Sequence, residues 1–96
     1  MKITKTGTLP ELTVAVEGRL DTSTAPQLEK ELYLAGVTKL VFDFADIEYV
    51  SSAGLRVLLS AQKKMNKQGE MIVRNVNETV AEVFEITGFS DILNIE

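Results

Sequence analysis

The sequence predicts a single α/β domain with a mixed, mostly parallel β-sheet and an antiparallel edge strand. Apolar segments with strand-like patterns recur along the chain, and amphipathic segments of helical period separate most of them. Residues 39–44, Lys-Leu-Val-Phe-Asp-Phe, are nearly continuously apolar, which is typical of a central strand covered on both faces. The predicted order is β-β-α-β-α-β-α-β, and strands that are linked by helices are expected to run parallel.

The first half of the chain contains two strands and a helix. Ile3 and Thr4 begin a short edge strand, and residues 7–11 form the turn that follows it. The second strand alternates apolar and more polar positions over residues 12–17, and we expect it to end at Gly18. Residues 21–26, Asp-Thr-Ser-Thr-Ala-Pro, favour a helix start, and helical spacing from Ala25 onwards predicts a helix that Gly36 stops.

The second half repeats this alternation after the central strand. Residues 45–54 are predicted to connect that strand to a helix over about residues 52–67, and residues 70–75 form the next strand. Asn75 or Asn77 is expected to cap a third helix that ends at Gly88, before a short last strand within residues 92–95. One domain is therefore expected to fill residues 1–96.

The composition excludes several kinds of chemistry. The chain has no cysteine and no histidine, which excludes disulfides, thiolate or imidazole metal sites and a Ser-His-Asp triad. A formal net charge of −4 does not favour binding to nucleic acid. No apolar segment is long enough to cross a membrane, and the N-terminus lacks the apolar core of a signal peptide. We expect a cytoplasmic protein without cofactor, bound metal or membrane contact.

Two serines stand where the second predicted helix begins, in residues 48–59, Glu-Tyr-Val-Ser-Ser-Ala-Gly-Leu-Arg-Val-Leu-Leu. A nucleophilic serine needs a base, and the nearest lysines on this helix, Lys63 and Lys64, are roughly 16–18 Å from Ser52 along its axis. The segment also differs from the G-x-S-x-G elbow of hydrolases and from the glycine-rich phosphate loops. These observations argue against a hydrolase and against a nucleotide-hydrolysing enzyme.

This region has four other interpretations. A serine at a helix N-cap stabilises a helix by about 1 kcal/mol, so the pair could be purely structural. One serine could cap while its neighbour accepts a phosphate, and weak contact with a nucleotide stays possible at a helix N-terminus. Asp43 and Asp46 lie at the end of the predicted central strand, where a phospho-accepting aspartate could sit, but no adjacent acidic pair is available to bind Mg²⁺.

Three segments together resemble the STAS domain, and more narrowly the bacterial anti-sigma factor antagonists. They are residues 18–32, beginning Gly-Arg-Leu-Asp-Thr-Ser-Thr-Ala-Pro, residues 40–71 around the serine pair, and residues 80–95. The resemblance extends from about Val14 to Ile95 and implies a small mixed sheet with about three helices packed largely on one side. It also implies a regulatory binding module that is a kinase substrate and not an enzyme.

The resemblance implies partner switching controlled by a phosphate. An unphosphorylated antagonist binds an anti-sigma factor that is a serine kinase, phosphorylation releases it, and a PP2C-type phosphatase resets it. The family motif Asp-Ser-Ser/Thr-Gly-Leu aligns through Gly54 and Leu55, which makes Ser52 the expected phosphorylation site and puts Ser51 in place of the aspartate. The alternative is a STAS scaffold or small-ligand-binding module that phosphorylation does not regulate.

A docking face is expected at one end of the sheet, because the first two predicted helices both begin after parallel strands. Arg56 is interpretable either as a solvated helix residue or as a partner contact. The candidate partner-binding residues are Asp21, Thr22, Ser23, Thr24, Tyr49, Ser51, Ser52, Ala53, Gly54 and Arg56.

Overall fold

The computed structural model describes residues 1–96 and contains five β-strands and three α-helices. The strands are β1 (Lys2–Thr6), β2 (Glu11–Leu20), β3 (Lys39–Val50), β4 (Glu70–Arg74) and β5 (Asn94–Ile95). The helices are α1 (Ala25–Glu31), α2 (Ser52–Met65) and α3 (Glu78–Ile86), and a 3₁₀ turn (Phe89–Asp91) precedes β5. The predicted order of strands and helices is confirmed. None of the helices is long and apolar enough to span a membrane.

The five strands form one mixed sheet in the order β1-β2-β3-β4-β5. β1 pairs antiparallel with β2, whereas the pairs β2–β3, β3–β4 and β4–β5 are all parallel. Each helix therefore connects one parallel strand to the next, always in the same direction across the sheet. Right-handed crossovers of this kind place all three helices on the same face, as the resemblance implies.

A single hydrophobic core lies between the sheet and the helices. Val14, Phe42 and Val73 are neighbours across β2, β3 and β4, and all three are fully buried. They belong to one cluster of 22 buried residues to which α1, α2 and α3 contribute Leu28, Leu58 and Phe84. This core holds the helices against the sheet, and it therefore determines where the helix starts lie.

The opposite face of the sheet carries no helix. Val41 and Ile72 are neighbours there, and both are buried although neither belongs to the main cluster. The central strand is thus buried on both faces, as predicted, but helices cover only one of them.

Two predicted strand ends are wrong. β2 does not end at Gly18 but continues to Leu20, and β3 does not end at Phe44 but continues to Val50. The two extensions pair with each other, with Leu20 opposite Val50, after shifts in register on either side of Gly18. Gly18 has a φ of +97°, which glycine adopts readily. It therefore allows an irregularity in the pairing of β2 with β3, and the strand continues beyond it.

The first helix is shorter than predicted. α1 ends at Glu31, and Leu32 leaves the helical region with φ −92° and ψ 76°. The chain then continues without regular structure to Gly36, while Leu34 and Val37 are buried in the core. Burial of these two side chains outweighs the helical spacing that suggested a longer helix.

The starts of the other helices agree more closely with the sequence. α2 begins at Ser52 as predicted and ends at Met65, two residues earlier than expected. Of the two candidate caps of α3, Asn77 is the N-cap, and its side-chain oxygen accepts a 2.8 Å hydrogen bond from the Val80 N–H. Asn75 instead adopts a left-handed conformation with φ +61° before the helix.

Candidate functional site

The start of α2 is fixed against the end of β2. The backbone N–H of Ser51 donates a 2.8 Å hydrogen bond to the carbonyl oxygen of Leu20. Gly54 is buried against the same residue, and a Cβ atom at position 54 would lie 2.6 Å from Leu20 Cγ and 2.9 Å from Leu20 O. Only glycine permits this approach, which brings the serine pair beside the loop that follows β2.

The two serines occupy different environments. Ser52 is the first residue of α2 and is exposed, so its hydroxyl is accessible from solvent. Ser51 is the N-cap residue with an extended backbone, yet its side chain makes no capping hydrogen bond. The Ser51 Oγ atom is buried and has no hydrogen-bond partner. The serine pair therefore does not stabilise α2 through a side-chain cap. Lys63 and Lys64 lie in the last turn of α2, at the opposite end of the helix from the serines.

The loop after β2 is organised by Asp21. Its Oδ1 atom accepts hydrogen bonds from the Ser23 N–H at 3.0 Å, the Ser23 hydroxyl at 2.7 Å and the Thr24 N–H at 3.3 Å. The Thr24 hydroxyl in turn accepts from the Asp21 N–H at 2.9 Å and donates to the Arg19 carbonyl at 2.7 Å. The hydrogen bond from the Ser23 side chain, helped by the backbone N–H groups, lowers the pKa of the Asp21 carboxyl.

Arg19 belongs to the end of β2 and also contributes to this region. Its Nε atom is 3.7 Å from Asp21 Oδ2, and its guanidinium carbon is 5.0 Å from the centre of the Tyr49 ring. Arg19 and Tyr49 are opposite each other on β2 and β3. The sequence did not suggest Arg19, because both strands were expected to end before these residues.

A cleft of about 330 Å³ lies between α1 and α2, next to the serine pair. Arg56 and Glu29 contribute opposite charges to its lining, and the remaining lining residues are Thr22, Ala25, Pro26, Ala53, Val57 and Ser60. Three predicted site residues, Thr22, Ala53 and Arg56, thus share this cleft. Glu29 and Ser60 were missed, although Ser60 follows Arg56 at the helical spacing of four residues.

The predicted docking residues differ in exposure. Thr22, Ser23, Ser52 and Arg56 are exposed, whereas Asp21, Thr24, Tyr49, Ser51 and Ala53 are partly buried. Gly54 is buried against Leu20, so it packs the site and presents no surface of its own. The exposed members lie on the β2–α1 loop and on the first turns of α2, which form a continuous candidate docking face.

Asp43 and Asp46 do not lie at the end of a strand as predicted, since β3 continues past both of them to Val50. The Asp43 carboxylate accepts 3.0 Å hydrogen bonds from the Asn75 side chain and from the Ala45 N–H, which lower the pKa of this group. Asp43 therefore links β3 to the segment after β4, as a structural carboxylate does.

Comparison of the sequence with known proteins identifies the family of this chain. The sequence profile of the STAS domain matches residues 2–96. This chain belongs to the STAS domain family. Within it, the chain is 36% identical to BtrV of Bordetella bronchiseptica, over 99% of this chain and 85% of BtrV. It is 32% identical to the anti-sigma-B factor antagonist of Listeria monocytogenes, over 86% of this chain and 76% of that protein. The relatives place this STAS domain among the anti-sigma factor antagonists.

Solved structures share the fold. The anti-sigma factor antagonist SpoIIAA in its unphosphorylated form superposes with a TM-score of 0.83 at 19% identity, covering 99% of this chain and 88% of that one. The phosphorylated form of the Bacillus cell fate determinant SpoIIAA superposes with a TM-score of 0.75 at 18% identity, covering 99% and 91%. At these identities the likeness concerns the STAS fold alone.

Proposed function

We propose that this STAS domain is an anti-sigma factor antagonist that phosphorylation of Ser52 switches off. Its partner would be an anti-sigma factor with serine kinase activity, which it binds when Ser52 is unmodified. The observation that carries the proposal is the position of Ser52, exposed on the first turn of a helix that is fixed against the end of β2. The domain would act in the cytoplasm as a kinase substrate and not as an enzyme, and a PP2C-type phosphatase would restore it.

The docking face would consist of the β2–α1 loop and the first turns of α2. Its exposed polar groups, Thr22, Ser23 and Ser52, suit hydrogen bonds to a partner, and Arg56 and Tyr49 would add charge and apolar contact. Since the hydrogen bonds to Asp21 order the loop before binding, little conformational entropy would be lost on docking. An ordered face of this kind supports recognition by one specific partner.

Phosphorylation would change this face without unfolding it. A phosphate adds about 1.5 to 2 negative charges and three acceptor oxygens at neutral pH. The free N–H groups and the dipole of α2 favour negative charge at this end of the helix, so the domain would tolerate the phosphate. The partner, fitted to a neutral Ser52, would have to bury the added charge and bulk. Typical coupling energies of about 1–3 kcal/mol would weaken binding about 5- to 150-fold.

A phosphorylation assay tests the proposal. The kinase is identified by pull-down from the source cell with the wild-type chain as bait and Ser52→Asp as the matched control. The purified kinase is then incubated with ATP, Mg²⁺ and the wild-type, Ser51→Ala or Ser52→Ala chain. We expect one phosphate on the wild type and on Ser51→Ala, mapped to Ser52, and none on Ser52→Ala. A phosphate mapped to another residue, or an unmodified wild type, would contradict the proposal.

The cleft between α1 and α2 favours a second candidate function, a STAS module that binds a small ligand and is not regulated by phosphorylation. Its Arg56 and Glu29 side chains supply opposite charges beside apolar walls. In that case Ser52→Ala would leave the signalling output of the source cell unchanged. Loss of regulation in that variant would favour the first candidate.

A further inference from the structure

Arg56 lies four residues after Ser52 on α2. Side chains separated by four residues are neighbours on a helix surface, with Cβ atoms about 5–6 Å apart. Both residues are exposed, so both side chains can be reached from solvent. An acidic group that precedes a basic one by four residues also has the more favourable order for an ion pair.

Arg56 also forms no ion pair in this structure. Five ion pairs are present in the structure, and none of them includes Arg56. Arg19, the other arginine near the serine pair, is already 3.7 Å from the Asp21 carboxylate and 5.0 Å from the Tyr49 ring centre. For a new negative charge at position 52, Arg56 would therefore be available to form an ion pair, whereas Arg19 already pairs with Asp21.

We propose that Arg56 binds the phosphate of phosphorylated Ser52 across one turn of α2. The proposal rests on the proposed function, because it needs a phosphate at position 52. The guanidinium offers a planar pair of N–H donors that matches two phosphate oxygens, which gives charge-assisted hydrogen bonds that an ammonium group does not reproduce. The pairing between Arg56 and the phosphate is non-covalent.

The pairing would alter two parts of the docking face at once. In the unphosphorylated domain Arg56 lines the α1–α2 cleft together with Glu29. Phosphorylation draws the guanidinium towards the start of α2 and neutralises it, so the cleft keeps Glu29 and loses its positive charge. A partner carboxylate that contacts Arg56 in the bound state would lose this contact when Ser52 carries a phosphate.

The test installs phosphoserine at position 52 during translation, so it does not depend on any kinase. The second pKa of the phosphate is measured by ³¹P NMR in the wild type, Arg56→Gln and Arg56→Lys. Lys63→Gln is the matched control, since it removes one positive charge from the same helix roughly 16 Å away. Other charged groups near this end of the sheet are Arg19 on β2, Asp21 in the loop after it, Glu48 on β3 and Glu29 on α1, and all variants retain them.

We expect Arg56→Gln to raise the phosphate pKa by about 0.3 units, because an ion pair at this spacing stabilises the dianion. Arg56→Lys should raise it by less, and Lys63→Gln should leave it unchanged. The difference should shrink in high salt, which screens exposed charges. Equal pKa values in the wild type and Arg56→Gln, or an equal change in Lys63→Gln, would overturn the proposal. If Arg56→Gln raises the pKa but no kinase modifies Ser52, the pairing holds and the proposed function fails.

Discussion

The N–H of Ser51 donates a 2.8 Å hydrogen bond to the carbonyl oxygen of Leu20, which ties the first turn of α2 to the last residue of β2. Through this bond two segments that are 31 residues apart in the sequence form one surface. The Asp21 loop extends from one side of it, and Ser52 and Arg56 extend from the other. The site therefore depends on how closely the helix approaches the strand.

Gly54→Ala should destabilise the domain, because its methyl group would overlap Leu20 Cγ, which is 2.6 Å from the ideal Cβ position. We expect a loss of about 1–3 kcal/mol in the free energy of unfolding, the usual cost of overpacking. Urea denaturation followed by circular dichroism measures it. Ser60→Ala, an exposed substitution on the same helix, is the control and should stay within about 0.5 kcal/mol of the wild type. Equal stability of the two variants would mean that Leu20 and Gly54 are not in tight contact.

Ser51→Ala should leave the stability unchanged or raise it slightly. The Ser51 Oγ atom is buried without a partner, so its removal breaks no hydrogen bond. The substitution also removes the free-energy cost of burying an unpaired polar group. Asn77→Ala is the matched comparison, because the Asn77 side chain accepts from Val80 N–H and donates to the Ile47 carbonyl, each at 2.8 Å. We expect Asn77→Ala to cost about 1–2 kcal/mol. A similar loss in Ser51→Ala would show that Ser51 caps α2 after all.

The carboxyl of Asp21 should titrate below its ordinary pKa of 3.8, chiefly because the Ser23 hydroxyl donates to it. A carboxyl whose pKa is lower in the folded state stabilises the fold above its unfolded pKa, and this contribution disappears as the pH falls through the folded pKa. The loop should therefore loosen only below about pH 3.8. Carboxyl ¹³C NMR should show the pKa of Asp21 rising towards 3.8 in Ser23→Ala and unchanged in Ser90→Ala. An unchanged value in Ser23→Ala would exclude the hydrogen bond as the cause.

Local signals in the sequence were sufficient to predict most of the fold. The apolar residues 39–44 identified the central strand, and Pro26 marked the beginning of α1. Of the two candidates Asn75 and Asn77 for the cap of α3, the structure has Asn77. The extension of β2 and β3 to Leu20 and Val50 was missed, because the polar residues of the extensions resemble a loop and only pairing across the sheet makes them strands.

The arrangement of the candidate site could be predicted only in part, because some of its contacts join segments that are distant in the sequence. Ser52 and the Asp21–Thr24 pair follow from motifs within short segments, and the structure brings them to one end of the sheet. The contact of Arg19 with Tyr49, the unpartnered hydroxyl of Ser51 and the α1–α2 cleft each depend on long-range packing. No local pattern of residues specifies such contacts.

The most direct test compares the affinity of the anti-sigma kinase for the unmodified chain and for the chain with phosphoserine installed at position 52. Isothermal titration calorimetry measures both dissociation constants under the same conditions, with phosphoserine installed at the exposed position Ser90 as a control for charge alone. We expect phosphoserine at position 52 to weaken binding about 5- to 150-fold and phosphoserine at position 90 to have little effect. Equal affinity of the unmodified chain and the chain phosphorylated at position 52 would contradict a switch at Ser52.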